Sequence, residues 1–202
     1  MTIRALIFDM GGVLLRTEDH QPRLKLAAEL GMNYDGLMKL AFGGESARRA
    51  TLGEITEEAH WEVVRAQIKK SPAEMVTWRE QFWGADQHDT ELIQFIGNLR
   101  SRLGTGLLSN AWSGARPSIT RRYPGTLDVF DVTVFSAEVG MAKPDAAIYH
   151  HILKLMAVEP HEAIFVDDFI ENIQAARQLG MVGVHFHDSL QARQDVIAAL
   201  NR

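Results

Sequence analysis

Five short apolar runs divide this 202-residue chain, and they constrain its fold more than any other feature. They are Ile3–Phe8, Thr105–Leu108, Val132–Phe135, Ala163–Val166 and Val182–Phe186. Each is near-continuous in hydrophobicity and does not alternate apolar with polar. A half-exposed strand alternates, whereas a strand covered on both faces does not. The later runs are separated by helical patterns. Asp89–Leu103 precedes Gly104, Pro144–Met156 carries Ile148, Ile152 and Leu155 on one stripe, and Ile170–Leu179 closes on Gly180. Strands alternating with helices predict an α/β fold with an open parallel, Rossmann-like sheet.

The stretch between the first and second runs breaks this rhythm. It offers no convincing strand and reads as helices over Pro22–Leu30, Asp35–Ala41, Glu57–Ile68 and Pro72–Trp83. Ser71-Pro72-Ala73-Glu74 is a capping box with proline at the first helical position, and Thr56 is placed to cap the preceding helix. The expected organisation is a core of residues 1–15 and 88–202, with a helical insertion over 16–87.

Charge and composition exclude several classes. The net charge is -5 and no Lys/Arg run exceeds two, so no nucleic-acid surface is expected. No window approaches the ~20 apolar residues a membrane span requires. With no cysteine, neither disulfides nor a thiolate metal site can form, which fits a cytoplasmic location. Oligomeric state cannot be read from the sequence.

In open parallel sheets, ligands gather beyond the carboxyl ends of the strands. The residues there are Asp9 after the first run, Ser109-Asn110 after the second, Lys143 after the third, and Asp167-Asp168 after the fourth. Each has an ordinary reading when taken alone. Asp168-Phe169-Ile170-Glu171 is a capping-box pattern, Lys143-Pro144 suits a surface lysine before a helix, and Gly11-Gly12 suits a tight turn. A capping role does not explain a second adjacent carboxylate, because paired buried charges are costly without a cation. Trp112, two residues beyond Asn110, is the aromatic placed to line a site. Trp61, Trp78, Phe82 and Trp83 fall at helical spacings and read as core. His60 and the pair His150-His151 read as surface or boundary residues, and His185 with His187 as the solvent face of an edge strand.

The order of these motifs, with the wording "FDMGGVL" and "DDFIENIQAARQLG", resembles the haloacid dehalogenase-like hydrolase superfamily. The branch it resembles most contains bacterial sugar-phosphate phosphatases and the N-terminal phosphatase domain of soluble epoxide hydrolases. The resemblance implies strand order 5-4-1-2-3, with the insertion as a helical cap. It implies a Mg²⁺-dependent phosphatase acting on a small phosphate ester, in which Asp9 attacks phosphorus to form an aspartyl-phosphate. It assigns the cation to Asp9, the Gly11 carbonyl, Asp167 and Asp168, with Asp168 as the main carboxylate. Lys143 would neutralise the phosphoryl group, Ser109 and Asn110 would bind its oxygens, and Asn172 would orient the carboxylates or Lys143. The cation is needed because a carboxylate meeting a phosphate dianion faces several kcal/mol of repulsion at ~4 Å, even at an effective dielectric of ~20.

One departure from the superfamily pattern matters. A second aspartate commonly stands two residues after the nucleophile, where it protonates the leaving oxygen. Here that position is Gly11. General acid–base help contributes about 10²–10⁴-fold. Its loss points to good leaving groups, such as sugar 1-phosphates, acyl phosphates or aryl phosphates, or to a proton supplied from elsewhere. Two alternatives stay open: a 2-haloacid dehalogenase, whose halide leaves unaided, and a non-catalytic phosphate-binding domain.

Overall fold

The computed structural model describes residues 2–201. In chain order the elements are β1 (Ala5–Phe8), β2 (Leu15–Thr17), α1 (Gln21–Glu29), α2 (Tyr34–Phe42), α3 (Gly44–Thr51), α4 (Glu57–Gln67), α5 (Pro72–Gly84), β3 (Asp86–His88), α6 (Thr90–Leu99), β4 (Gly104–Ser109), α7 (Ala115–Arg122), β5 (Val132–Phe135), α8 (Ser136–Val139), α9 (Ala146–Met156), β6 (Ala163–Asp167), α10 (Ile170–Gln178), β7 (Val182–His185) and α11 (Ser189–Leu200). The five apolar runs form one parallel sheet in the order β5-β4-β1-β6-β7. Counting only these five strands along the chain and starting from the β7 edge, the order is 5-4-1-2-3, as expected.

The lack of alternation in the runs has a direct cause. Leu6 and Phe8 of β1 pack on one face with Leu92 and Ile96 of α6 and Ala192 and Val196 of α11. Ala5 and Ile7 pack on the other with Ile148 and Ile152 of α9 and Ile173 and Ala176 of α10. Both faces are covered, so every position in the strand is apolar.

The detail differs from expectation between β1 and β4. Two short strands were not foreseen: β2 and β3 pair antiparallel as a separate ribbon, with Arg16 opposite Gln87. Their sequences, Leu-Arg-Thr and Asp-Gln-His, are too short and polar to show a period. The ribbon exists because the chain leaves and re-enters the sheet layer at one place. Helix α3 is likewise additional to the expected helices. The other helices of this stretch match, including the Ser71–Glu74 capping box and the Thr56 cap, which accepts from Ala59 N at 3.1 Å.

Helices α1–α5 build their own apolar cluster from Leu26, Leu37, Trp61, Val64, Trp78 and Phe82. His60 is buried inside it, a correction to the boundary placement. Its Nε2 lies 2.8 Å from the Ala41 carbonyl and its Nδ1 3.0 Å from Ser46 Oγ, so both ring nitrogens are satisfied without water. Burial lowers its pKa, keeping the ring neutral.

Candidate active site

The strand ends converge. Asp9 directly follows β1, and its N–H donates to the Val166 carbonyl of β6 at 2.9 Å, which ties the two central strand tips together. Lys143 Nζ lies 2.7 Å from Asp9 Oδ1 and 2.7 Å from Asp167 Oδ2. One buried ammonium thus bridges the carboxylates of neighbouring strand ends. Asp9, Asp167 and Asp168 each offer an oxygen, all within 4.8 Å of one another.

The two adjacent aspartates have different partners. Asp167 is fully buried and fully engaged. Besides Lys143, it accepts from Phe169 N at 2.8 Å and from Asn172 Nδ2 at 3.0 and 3.1 Å. Asn172 therefore orients Asp167. Asp168 is half-buried, and its Oδ1 is shielded from solvent without any hydrogen-bond partner. The capping-box reading of Asp168 does not hold. The N-cap of α10 is Phe169, with no side-chain cap, because the Asp168 carboxylate turns toward Gly12 instead. The Asp168 carbonyl is held by His185 Nε2 at 3.0 Å, a contact no local pattern announces.

Electrostatics follow from this crowding. Burial pushes the Asp9 carboxyl up to about 7; Lys143 pulls it back, while Asp167 adds to the rise. Burial, then the Asp167 charge, pushes Asp168 up to about 6. For Lys143, burial opposes the charge, yet Asp9 and Asp167 outweigh it and hold the ammonium above its ordinary range. Three carboxylates around one lysine leave surplus negative charge. An unpartnered buried oxygen beside that surplus, in an all-oxygen donor set, suits a hard divalent cation such as Mg²⁺.

The glycine pair divides its labour. Gly12 has φ +78°, and a Cβ there would overlap the Asp168 carboxylate. Gly11 has nothing within 4 Å of where its Cβ would stand. Gly12 is required by geometry, whereas position 11 is open space close to Asp9.

Ser109 is buried at the end of β4, paired with Phe135 of β5. The Asn110 side chain clasps the Lys143 backbone: Nδ2 donates to the Lys143 carbonyl, and Lys143 N donates to Asn110 Oδ1, both at 2.8 Å. Trp112 is only 9% exposed, and its ring packs into the α1–α5 cluster. Arg16 is committed to Asp89 at 2.9 Å and Glu18 at 3.2 Å. No sequence pattern marks Ser136: its Oγ accepts from Ala111 N at 2.9 Å and donates to the Ala111 carbonyl at 3.1 Å, fixing the loop after β4.

A family model described as haloacid dehalogenase-like hydrolase matches residues 3–180. The chain belongs to that family. This hydrolase is 31% identical to the sesquiterpene phosphatase astK of Aspergillus oryzae, over 94% of its own length and 92% of the relative's. It is 28% identical to bifunctional epoxide hydrolase 2 of Sus scrofa, covering 97% of this chain but 38% of that protein. In fold it is similar to a HAD family enzyme of Bacteroides thetaiotaomicron, crystallised with magnesium and inorganic phosphate. The TM-score is 0.75 at 22% identity, covering 92% of this chain and 94% of that one. Among the described residues no helix is long and apolar enough to cross a membrane.

Proposed function

We propose that this hydrolase is a Mg²⁺-dependent phosphatase of small phosphate esters, working through an aspartyl-phosphate on Asp9. The carrying observation is the Lys143 bridge between Asp9 and Asp167, beside an Asp168 oxygen left without a partner. Asp9, the Gly11 carbonyl and Asp168 would hold the cation, with Asp167 behind them fixing Lys143. When bound, the cation would screen the carboxylates and the phosphoryl charge from one another.

An Asp9 oxygen attacks phosphorus in line, the Asp9 O–P bond forms, and the bond from phosphorus to the leaving oxygen breaks. Lys143 stays within reach of both Asp9 and the developing equatorial charge. Ser109 and the Asn110 N–H take the remaining phosphoryl oxygens. Water then attacks phosphorus and releases Asp9 and inorganic phosphate.

The open space at Gly11 leaves the departing oxygen without a side-chain acid at that position. Substrates whose leaving group departs unprotonated are favoured, among them sugar 1-phosphates, acyl phosphates and aryl phosphates. Residues 16–87 serve as a cap that limits water and selects the substrate. The relative named as a sesquiterpene phosphatase supports a phosphate ester as the substrate class.

The test pairs an aryl phosphate with a chloro-acid, each with Mg²⁺ and with chelator. Chelator-sensitive phosphate release is expected. Halide release unaffected by chelator would instead identify a dehalogenase, and silence with both substrates a non-catalytic domain.

A further inference from the structure

The loop after β4 belongs to two places at once. At its start Ser109 ends the strand and Asn110 grips the Lys143 backbone through two 2.8 Å hydrogen bonds. One residue on, Ser136 pins Ala111 at both its N–H and its carbonyl. Trp112 then turns into the helical cluster. Its ring centroid lies 4.6 Å from His60, 5.4 Å from Trp61 and 5.5 Å from Phe42, onto which it stacks. Its Nε1 donates to Thr51 Oγ1, the last residue of α3, at 3.3 Å. Ser113 Oγ accepts from Glu57 N, the first residue of α4, at 3.2 Å. Five consecutive residues therefore hold the site lysine at one end and two helices of the cluster at the other.

We propose that Trp112 is a positioning residue, and not part of the substrate-binding wall. Its buried ring makes the docking of the α1–α5 cluster set where Asn110 holds Lys143 and where Ser109 presents its hydroxyl. The physical reason is leverage on a short segment. A tryptophan of this kind buries roughly 150–250 Å² and has few rotamers to lose. Anchored there, and at Ser136, the loop has little freedom left. Displacing catalytic groups by about 1 Å can cost on the order of 100-fold. Asp9, Asp167 and Asp168 lie at the ends of β1 and β6, not on this loop, which reaches Asp9 and Asp167 only indirectly, through the Lys143 ammonium. The consequence is unequal: loosening Trp112 weakens the hold on phosphate more than the hold on the cation. The proposal rests on the phosphatase reading for its ligand, but the coupling of Trp112 to Lys143 can be measured without any ligand.

The experiment compares wild type, Trp112→Ala, Trp112→Phe and, as a control within the same cluster but off the loop, Trp78→Phe. Calorimetric titration with Mg²⁺, then with inorganic phosphate in saturating Mg²⁺, gives the two affinities. Backbone amide shifts of Asn110 and Lys143, in ligand-free protein, report the coupling directly. Expected for Trp112→Ala are a phosphate affinity about 10–100-fold weaker, a smaller loss of Mg²⁺ affinity, and displaced Asn110 and Lys143 amides. Trp112→Phe should recover most of the loss, and Trp78→Phe should match wild type. Unmoved amides in Trp112→Ala would overturn the proposal, as would an equal loss in Trp78→Phe. If Trp112→Ala does not fold, Thr51→Ala decides through the same two amide shifts. Wild type that binds no phosphate would defeat the phosphatase reading, while the amide shifts would still decide the coupling.

Discussion

Gly12 and Asp168 occupy adjoining space that no side chain at position 12 could share. With φ +78° and the Asp168 carboxylate lying where a Cβ would be, Gly12→Ala meets both backbone strain and a steric clash. The strain alone costs about 1–2 kcal/mol, and relief of the clash must swing Asp168 away from Asp9. Gly12→Ala should lower the melting temperature and weaken Mg²⁺ binding in calorimetric titration. Gly11→Ala, with open space around it, should alter stability by no more than about 0.5 kcal/mol. Equal effects of the two substitutions would contradict the geometry.

The vacancy beside Asp9 invites a carboxyl group. Gly11→Asp should supply the missing proton donor and raise kcat for alkyl phosphates, toward the 10²–10⁴-fold that general acid catalysis contributes. Aryl phosphates, whose leaving groups need little protonation, should gain far less. In wild type, rates across a series of esters should climb steeply with leaving-group acidity, and in Gly11→Asp the slope should flatten. A flat dependence in wild type would sink the leaving-group reading.

Asp9→Asn keeps the size of the side chain and removes the carboxylate proposed to attack phosphorus. Turnover should fall to background in a phosphate-release assay, with the circular dichroism spectrum unchanged. Lys143→Met is expected to behave differently, because it leaves Asp9 and Asp167 buried without their shared cation. Removing one partner of a buried pair costs about 3–5 kcal/mol. Denaturant titration should show that loss at pH 8 and a smaller one at pH 5, where Asp9 holds a proton.

Stability of the cation-free protein should fall as pH rises. Asp9 and Asp168 ionise near 3.8 in the unfolded chain but hold their protons to about 7 and about 6 in the fold. Between those values the native state binds more protons than the unfolded state, so raising pH favours unfolding. A divalent cation competes with these protons and reverses the penalty. Thermal unfolding in chelator should show a lower midpoint at pH 8 than at pH 5 on account of these groups. Adding Mg²⁺ should raise the midpoint more at pH 8. An equal Mg²⁺ effect at both pH values would remove the carboxylates from the cation site.

Most of the sheet was legible because its information is local. β1, and β6 up to Val166, are apolar, since α6 and α11 cover one face and α9 and α10 the other. Asp9, Ser109 and Asp167 stand out as polar residues closing apolar runs. The β2–β3 ribbon was not legible, because three-residue polar strands have no period and form only when Arg16 and Gln87 meet across the insertion. His60 illustrates the same limit. A histidine on a helix reads as a boundary residue until the Ala41 carbonyl and Ser46 hydroxyl, from other elements, satisfy both its nitrogens.

The sequence by itself determined the α/β alternation, the polar strand tips and the vacancy at Gly11, because burial on two faces and residue identity leave marks in the linear order. Only the tertiary structure decided how the acidic pair divides: Asp167 spends both oxygens on Lys143, Asn172 and Phe169 N, while Asp168 keeps one free. It also decided that the Trp112 ring packs into the helical cluster. Hydrogen-bond partners and ring contacts are chosen among neighbours far apart in the chain, and that choice exists only once the chain has folded.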